Sequence, residues 1–380
     1  MIKSKVMLIV FWISVFLMAY IYIGYPSTIY LLSKIKSNPA KNYEFQPSIS
    51  IIISVYNEEK LIQNKIDNLK SLNYPDDLIE VIIVTDGSND STASIVRKNS
   101  TIKLIESYER LGKAECVNRA VAAAHNDVLI LMDVRQTVET NAINELVSNL
   151  SSDDVGAVSG ELVYRESSDI NQTTENASFY WKYEKMIRKA ESIIGSVQGV
   201  TGALYAIKKE LMPEIKKGTI LDDVYVPMTV IKKGYRVLFE PEAIIYDDAS
   251  VDESVERKRK IRTIAGNYQL MSMNKWLLSP FINPTFFQFF SHKVLRLMSP
   301  FFLAITLLTL VYLGVFASGV FYKLLLLFVV FVFVFTYMGS INIKFLSKII
   351  KINHAFLQLN YYALLGCIEY VRNKDIYLWK

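Results

Sequence analysis

The sequence predicts an α/β domain with a doubly wound, mostly parallel sheet, flanked by transmembrane helices. Between Pro47 and about Tyr246, short apolar runs alternate with amphipathic stretches, the pattern of successive βα units. One run, 128–132, has five apolar residues without Gly or Pro, which is typical of a strand buried on both faces. The long apolar runs lie outside this region, in 6–32 and 299–338.

The first apolar run predicts a membrane anchor over residues 1–36. It is uncharged from Met7 to Ile23 and continues to Leu32, which exceeds the roughly 20 residues that a bilayer requires. A signal peptide is the alternative, but no small-residue cleavage site follows. Lysines precede and follow the run, so the positive-inside rule does not orient it by itself.

The central domain is predicted to span residues 45–275. Its predicted strands are 48–55, 79–85, 103–106, 127–132 and 155–159. The predicted helices between them are 58–72, 91–99, 113–124 and 141–150. The turn after the first strand, Val55-Tyr-Asn-Glu-Glu59, has no glycine-rich phosphate loop, which disfavours a dinucleotide-binding dehydrogenase.

The last predicted unit, 280–380, contains further membrane segments. An aromatic stretch at 286–296 has the composition of a helix lying in a membrane interface, and the apolar runs 299–320 and 324–338 predict a transmembrane hairpin. Lysines at 344, 348 and 351 predict a cytoplasmic segment, and an even number of crossings puts the central domain on the same side. The run 355–371 carries polar residues and is either a third crossing or an interfacial helix.

Composition excludes several classes of protein. The excess of 42 basic over 37 acidic residues is small and no basic-aromatic pattern is present, so nucleic acid is not an expected partner. Cys116 and Cys367 are far apart, which excludes a disulfide framework and a cysteine-type zinc site. The three histidines are too scattered for a metal cluster.

Acidic residues follow the predicted strands at the points where those strands end. Asp133 follows the run 128–132, and ligands of open α/β sheets bind outside the carboxyl ends of strands. Asn57-Glu58 and Asp86-Gly-Ser-Asn-Asp90 follow the first two strands in the same way. Any one of these sequences is equally a turn or a helix cap. Their joint placement predicts a ligand site.

Six motifs taken together resemble a membrane-bound family 2 glycosyltransferase of the GT-A fold, related to bacterial polysaccharide synthases such as poly-N-acetylglucosamine and hyaluronan synthases. The similarity covers roughly residues 47 to 270, in the family's order and spacing. The motifs are Val55-Tyr-Asn-Glu-Glu59, Thr85-Asp-Gly-Ser-Asn-Asp90, Gly112-Lys113, Met132-Asp133, Gly199-Val-Thr-Gly-Ala-Leu-Tyr205 and Leu221-Asp222-Asp223.

The resemblance implies a nucleotide-sugar donor, expected to be a UDP-sugar, and assigns residues to it. Tyr56, Glu58 and Asp86 are expected to line the nucleoside site, with Lys113 near the diphosphate. Asp133 is expected to hold a divalent cation, Mg²⁺ or Mn²⁺, which would ease departure of the nucleoside diphosphate as a Lewis acid.

The resemblance also implies where the acceptor reacts. Asp223 is the candidate general base that takes the proton of the acceptor hydroxyl, and one displacement inverts the anomeric carbon. Asp222 would tune that carboxylate, or it caps the helix predicted over 224–231. Gly199, Thr201 and Gly202 are expected to form the floor of the acceptor site, with a loop of tight turns as the alternative.

Two departures from the family's pattern affect these assignments. In the basic segment 257–262, which by composition alone is a solvated face or a lipid anchor, Arg259 stands at the Gln of the family's Gln-x-x-Arg-Trp motif and Arg262 at its Arg. Both are expected to contact the donor diphosphate, whereas Thr263 replaces the acceptor-stacking Trp. Arg135 stands at the usual second metal-site Asp, so either Asp133 binds the metal with water and phosphate oxygens, or Arg135 supplies part of the charge.

The resulting hypothesis is a multi-pass protein of the cytoplasmic membrane with its catalytic domain in the cytoplasm. It is expected to be an inverting enzyme that moves a hexose from a nucleotide-diphosphate sugar to a growing glycan or lipid-linked acceptor, with membrane lipids around its helices. One alternative is a polyprenyl-phosphate sugar synthase that makes a single transfer. Another is a catalytically silent membrane protein that binds a nucleotide.

Overall fold

The computed structural model describes residues 2–165, 172–248, 253–316, 319–338 and 344–373. Its centre is one eight-stranded sheet. The strands are β1 Ile49–Val55, β2 Ile79–Asp86, β3 Ile102–Ser107, β4 Val128–Met132, β5 Thr137–Val138, β6 Val155–Arg165, β7 Leu204–Lys208 and β8 Arg236–Asp248. The sequence pattern predicts the first four and β6, and it does not predict β5, β7 or β8.

Helices cover both faces of the sheet and extend beyond it. The helices of the central domain are α3 Ile62–Lys70, α4 Thr92–Arg97, α5 Lys113–Ala123, α6 Ala142–Leu150, α7 Gln172–Ile194, α8 Asp222–Lys232 and α9 Glu253–Met273. Those toward the two ends of the chain are α1 Ile2–Ala19, α2 Tyr25–Leu32, α10 Phe286–Gln288, α11 Leu295–Phe316, α12 Val320–Met338 and α13 Lys344–Arg372.

The strand order is β3-β2-β1-β4-β7-β6-β8-β5, and the sheet is mixed. Strands β3, β2, β1 and β4 run parallel, β7 runs antiparallel to both β4 and β6, and β6 pairs with β8 in parallel. The predicted fold class is confirmed, with parallel pairs on both sides of a reversed strand, β7, which lies next to β4. That reversal brings the segment leading into β7 beside the end of β4.

The sheet has a hydrophobic core on each face. Ile51 and Ile53 belong to one core, whereas Ile52 of the same strand belongs to the other, as the two-residue period of a strand requires. Ile130 and Leu131 of β4 alternate in the same way. The uninterrupted apolar runs of β1 and β4 are therefore explained by burial on both faces.

Two helical segments are long and apolar enough to cross a bilayer, Lys3–Leu32 and Phe286–Phe316. A π-helical turn at Tyr20–Gly24 joins α1 to α2, and another at Phe289–Val294 joins α10 to α11. The stretch 286–296, predicted to lie in a membrane interface, forms the first turns of the second segment, and its position relative to a membrane stays a prediction. Ser291 and His292 are buried there, where His292 meets carboxylates of α7.

The apolar helices pack closely against one another. Phe11 of α1 forms a buried cluster with Leu310 and Leu313 of α11, and α12 adds partly buried side chains to it. Gly314 lies so close to α12 that a Cβ built on it would be 2.7 Å from Leu326. The two apolar runs predicted as a hairpin form α11 and α12, and residues 321–323, between the predicted runs, lie within α12.

The last apolar run belongs to α13, which packs along α9 of the central domain. Gly366 allows close approach, since a Cβ built on it would be 2.3 Å from a side-chain carbon of Ile264. Asn360 is buried and accepts a hydrogen bond from Ser299 at 2.7 Å. Asn360 therefore faces another helix, whereas Gln358 donates to Tyr362 of its own helix at 3.0 Å.

Candidate active site

The candidate site lies where the parallel strands end. Val55 is in register with Thr85, and Ile52 with Leu131, so the carboxyl ends of β1, β2 and β4 reach the same edge of the sheet. Strand β7 starts there from the opposite direction, and the Asp133 N–H donates to the Ala203 carbonyl at 3.2 Å. The motifs that follow β1, β2 and β4 and precede β7 are consequently brought together.

A cation lies between carboxylates at this edge. Lys113, the first residue of α5, has its ammonium 3.2 Å from Asp133 Oδ1 and 3.6 Å from Asp222 Oδ2. Burial by itself lowers the pKa of Lys113, but Asp133, Asp222 and Asp223 more than offset this and raise it above its usual value. Lys113 is therefore fixed as a positive charge.

Asp223 is a carboxylate held in an environment that disfavours its charge. Its Oδ1 is buried and has no hydrogen-bond partner among the described residues. Burial first, and then the neighbouring Asp222, raise its pKa to about 6, against the opposing effect of Lys113 and Lys293. A carboxyl with this pKa is well suited to take a proton near neutral pH.

Asp222 does not cap the helix that follows it. Helix α8 begins at Asp222 itself, its N-cap residue is Leu221, and no side-chain cap is formed. The capping alternative is wrong, because the Asp222 carboxylate lies beside Lys113 instead. The carboxylate still benefits from its place in the first turn of the helix, where a negative charge is stabilised.

The residues assigned to the nucleoside lie in two interlocked loops. The Glu58 N–H donates to Thr92 Oγ1 at 2.8 Å, and Tyr56 has the Arg110 guanidinium 3.8 Å above its ring. Asp86 is buried and accepts from the Leu111 N–H at 2.6 Å and from the Gly112 N–H at 3.1 Å. Asp86 thereby holds the loop that leads to Lys113.

The segment 199–203 lies directly against Asp223. A Cβ built on Gly202 would be 3.3 Å from Asp223 Cβ, and the Val200 N–H donates to the Asp223 carbonyl at 2.8 Å. The Thr201 hydroxyl donates to the Gly160 carbonyl at 2.8 Å and accepts from Arg188 at 3.1 Å. The hydrogen-bonding capacity of Thr201 is thus largely used inside the protein, as in a structural turn.

The two arginines of α9 have different surroundings. Arg262 is half-buried, and burial lowers its pKa while Asp222 and Asp223 oppose that change. Arg259 is exposed. The structure thus brings Arg262 toward the acidic pair and leaves Arg259 on the solvent side of the helix.

Arg135 is neutralised by a buried carboxylate. Its guanidinium donates to Asp247, whose side chain is 2 % exposed, and Gln136 also donates to Asp247 at 3.1 Å. Arg135 is therefore committed to a structural ion pair, which counts against the hypothesis that it supplies charge to the donor. In the part of the chain that the structure describes, no three His, Cys, Asp or Glu side chains converge as a metal site.

A single carboxylate is nevertheless compatible with one class of metal site. The Asp133 side chain is one third exposed, and magnesium sites commonly combine one or two carboxylates with substrate phosphates and water. The donor set present here, Asp133 with Asp222 nearby across Lys113, fits a cation that is held mainly by a bound diphosphate.

Two further candidates for the site, Arg188 and Lys293, were not predicted from the sequence motifs. Arg188 of α7 donates to Thr201 and to Ser159 and lies 4.4 Å from the centre of the Phe239 ring. Lys293 of the second π-helical turn lies 3.7 Å from the position of a Cβ on Gly199. In the sequence, both residues are cations within apolar or aromatic stretches. That pattern could have marked them as unusual, but it does not show which surface they face.

A cavity of about 770 Å³ opens beside Asp223. One side of it consists of catalytic-domain residues, including Gly199, Asp223 and Thr263. The opposite side consists of residues from the apolar helices and α13, among them Tyr22 and Phe356. Thr263, at the position of the missing Trp, leaves this space open.

Fold and family together define the class of protein. Residues 50–213 match the family described as glycosyl transferase family 2. A mannosyltransferase from Pyrobaculum calidifontis, solved in complex with GDP-Man and Mn²⁺, superposes with a TM-score of 0.72 at 22% identity. It covers 96% of this chain and 99% of its own, so the fold is GT-A together with the flanking helices. The class is a GT-A glycosyltransferase.

Particular relatives are bacterial polysaccharide synthases. The poly-beta-1,6-N-acetyl-D-glucosamine synthase of Staphylococcus aureus strain COL is 26% identical over 249 residues, which are 62% of this chain and 58% of that protein. The synthase of the same name from Staphylococcus epidermidis is 25% identical over 240 residues, which are 60% and 56%. The chain therefore matches somewhat more than half the length of these homologues.

Proposed function

We propose that the protein is an inverting glycosyltransferase that moves a hexose from a nucleotide-diphosphate sugar to a hydroxyl group of a glycan or lipid-linked acceptor. The observation that carries this proposal is the Asp223 carboxyl, with its pKa raised to about 6, beside the Lys113, Asp133 and Asp222 cluster. A protein that only binds a nucleotide does not require a carboxyl group with a raised pKa and a buried oxygen without a hydrogen-bond partner, as Asp223 has.

The donor is held by charge and by the loops at the strand ends. Tyr56 and Glu58 form the nucleoside side of the site, and Asp86 fixes the backbone that carries Lys113. Lys113 and Arg262 supply positive charge for the diphosphate, since both lie close to the acidic pair. Arg259, being exposed, is left with a secondary role at the entrance for the donor.

The chemical step is a single displacement at the anomeric carbon. The acceptor oxygen forms the new bond, the bond from that carbon to the diphosphate oxygen breaks, and the nucleoside diphosphate leaves with the electron pair. The acceptor proton passes to Asp223, and Asp222 keeps the pKa of that carboxyl raised. Attack from the face opposite the leaving group inverts the anomeric configuration.

Asp133 is the residue proposed to hold a divalent cation, Mg²⁺ or Mn²⁺. Such a cation supplies Lewis-acid stabilisation of the negative charge on a departing diphosphate. In this chain Lys113 shares that task, because it is fixed as a cation between Asp133 and Asp222. We therefore propose that the metal accelerates transfer without being its only source of positive charge.

The protein is proposed to sit in the cytoplasmic membrane. The segments Lys3–Leu32 and Phe286–Phe316 are proposed to cross it, together with α12, and the catalytic domain is placed on the cytoplasmic side, where nucleotide sugars are made. This orientation is tested with single cysteines introduced at an end of the α11–α12 hairpin and in the catalytic domain. They are labelled in intact cells with a membrane-impermeant thiol reagent. Labelling of the catalytic domain would contradict it.

The donor is tested with purified full-length protein in nanodiscs made from bacterial lipid extract. Release of nucleoside diphosphate is measured over a panel of UDP- and GDP-sugars, with and without Mn²⁺. The names of the relatives put UDP-N-acetylglucosamine first in this panel, and the mannosyltransferase puts GDP-mannose second. Turnover of one donor that disappears in Asp223→Asn supports the proposal. Absence of turnover for every donor would overturn it.

A further inference from the structure

The cavity beside Asp223, here called the junction cavity, has two chemically different sides. At one end lie Asp223 and the glycine-bearing segment from Gly199, which belong to the catalytic machinery. At the other end are side chains of segments that are themselves apolar enough to lie in a bilayer, including Met18, Tyr22 and Leu297. The cavity therefore connects the catalytic base to the membrane-facing helices.

Most of the surface of this cavity is apolar, although charged side chains also line it, and α13 contributes a purely apolar part of the lining. Ala355, Phe356, Leu359 and Ala363 line it from that helix. Lipid tails interact favourably with a wall of this kind, whereas a chain of hydrated sugars would lose water contacts there without replacement. The apolar end is thus suited to a hydrocarbon chain.

Arg188 and Lys293 are two cations that line the junction cavity together with Asp223. Arg188 donates its hydrogen bonds to the hydroxyl groups of Thr201 and Ser159, so no carboxylate neutralises it directly. Lys293 lines the cavity and forms no hydrogen bond or ion pair with any residue that the structure describes. The carboxylates that act on it are Asp223 and then Glu184 and Glu191, of which the last two are already paired with Arg296 and His292. By contrast, Arg296 is paired with Glu184. An anionic linker between tail and sugar would find Arg188 and Lys293 available.

The helices do not frame an alternative route for a long polymer. Among the described residues, α1 and α11 meet through the Phe11, Leu310 and Leu313 cluster, and α12 closes on Gly314. This seam is packed mainly with apolar side chains, and its polar groups are paired with each other, as in the hydrogen bond from Thr306 to Ser14 at 2.9 Å. A product that stays attached to a lipid is compatible with such a seam, whereas a hydrated glycan crossing between these helices is not.

We infer that the acceptor is an amphiphile whose hydrocarbon chain occupies the junction cavity, whose anionic linker meets Arg188 and Lys293, and whose sugar hydroxyl reaches Asp223. This inference rests on the proposed function and specifies its acceptor. Asp223 argues for a sugar hydroxyl over a lipid phosphate, because a phosphate oxygen is already a nucleophile and needs no base. The bond formed is glycosidic, and the proton of the acceptor hydroxyl passes to Asp223.

The test uses the full-length protein in nanodiscs of bacterial lipid extract with a radiolabelled donor that shows turnover. We expect the label in the organic phase after chloroform-methanol extraction. Mild acid then cleaves any anomeric phosphate linkage. Release of a labelled disaccharide or larger sugar, or no release at all, supports transfer to a sugar hydroxyl. Release of the labelled monosaccharide alone would overturn that part, since it identifies a lipid phosphate as acceptor.

Variants locate the lipid site. Ala355→Trp fills the cavity wall, and we expect at least a tenfold loss of lipid-extractable product while slow donor hydrolysis by water continues. Leu364→Trp on the same helix is the matched control, since Leu364 is 38% exposed, and it should stay within about twofold of wild type. Because a bulky residue can disturb folding, Lys293→Gln provides a second measurement, with a raised KM for added lipid extract and an unchanged KM for donor.

The outcomes separate this inference from the proposed function. A water-soluble polymer as the main product, formed equally by wild type and Ala355→Trp, would overturn the lipid acceptor and leave the glycosyltransferase intact. Failure of every donor would overturn both. Loss of donor hydrolysis in Ala355→Trp but not in Leu364→Trp would also count against the inference, because it places the cavity on the donor side of the reaction.

Discussion

Asp223 concentrates the catalytic requirements of the site in one side chain. As a base it works only when deprotonated, and burial together with Asp222 raises its pKa to about 6. The transfer rate should therefore rise from pH 5 to pH 7 with a midpoint near 6, and then level off. The measurement is kcat/KM for acceptor against pH, with Asp223→Glu as the variant expected to move the midpoint. A rate independent of pH over this range would contradict the role of Asp223.

The same carboxyl is expected to lower stability when it is charged. Its pKa in the folded protein is raised above that of an unfolded aspartate, so its contribution to stability is present at low pH and is lost as pH rises through about 6. At pH 7.5, Asp223→Asn should consequently leave Tm equal to or higher than that of wild type. Transfer should fall by about 10²-fold or more, the usual effect of losing a general base. A marked drop in Tm would mean that the carboxylate has a structural function.

Asp133 allows the metal to be tested separately from the base. Because Lys113 shares the charge, EDTA should reduce the transfer rate by a large factor without abolishing binding of nucleoside diphosphate, and Mn²⁺ or Mg²⁺ should restore the rate. Asp133→Asn should respond much less to added metal. The readout is product formation over a metal titration, with calorimetric binding of UDP or GDP as the control. Full activity in EDTA would remove the role proposed for Asp133.

At the scale of elements, the segment after β4 shows that Arg135, which stands at the position of the family's second metal-site Asp, has a structural contact of its own. Arg135 there is paired with Asp247 at the end of β8, and Gln136 supports the same carboxylate. The pair ties the turn after β4 to the far side of the sheet, where β5 pairs with β8. The residue thus serves sheet packing.

Arg135→Asp should therefore destabilise the protein without improving metal dependence. It leaves the buried Asp247 without its cation and adds a second negative charge beside it. Since Arg135 is about one third exposed, we expect a loss of about 1–2 kcal/mol rather than the full value for a buried pair. Arg135→Lys serves as the control, with a smaller loss. Thermal unfolding measures the stability, and an unchanged Tm in Arg135→Asp would contradict this account.

At the scale of the whole molecule, the catalytic domain and the apolar helices together line the junction cavity, and α13 contributes one wall of it. Helix α13 closes this wall by packing on α9, where Gly366 allows the two helices to approach. Helix α7 links both sides as well, since Tyr183 donates to the Tyr22 carbonyl at 2.9 Å. That contact connects α7 to the first apolar segment.

Gly366→Leu should separate α13 from α9. The added side chain overlaps Ile264, with a Cβ already 2.3 Å from it, so the wall of the cavity must shift. We expect a lower Tm and a stronger reduction of acceptor transfer than of donor hydrolysis. Gly319→Ala is the control, because nothing lies within 4 Å of its added Cβ. Equal kinetics in both variants would show that the α9–α13 contact does not shape the acceptor site.

Local patterns in the sequence account for the parallel half of the sheet and for the acidic residues at its edge. The strands β1, β2 and β4 are visible because burial on both faces requires continuous apolar runs. Asp86 and Asp133 could be assigned to one site because parallel strands end at the same edge, whereas Asp223 was assigned through the resemblance to the family. The short β5 and the strands β7 and β8 carry weaker periodic signals and depend on partners that are distant in sequence.

The sequence by itself determined the α/β class, the strand-end carboxylates and the apolar segments, since these follow from the spacing of residues along the chain. Only the tertiary structure decided that Arg135 pairs with Asp247, that Asp222 faces Lys113 instead of capping α8, and that Lys293 belongs beside Asp223. The physical reason is that a charge acquires its partner through packing between distant elements. The sequence pattern shows that a polar residue occurs at a given position, whereas the fold determines which other residue it contacts.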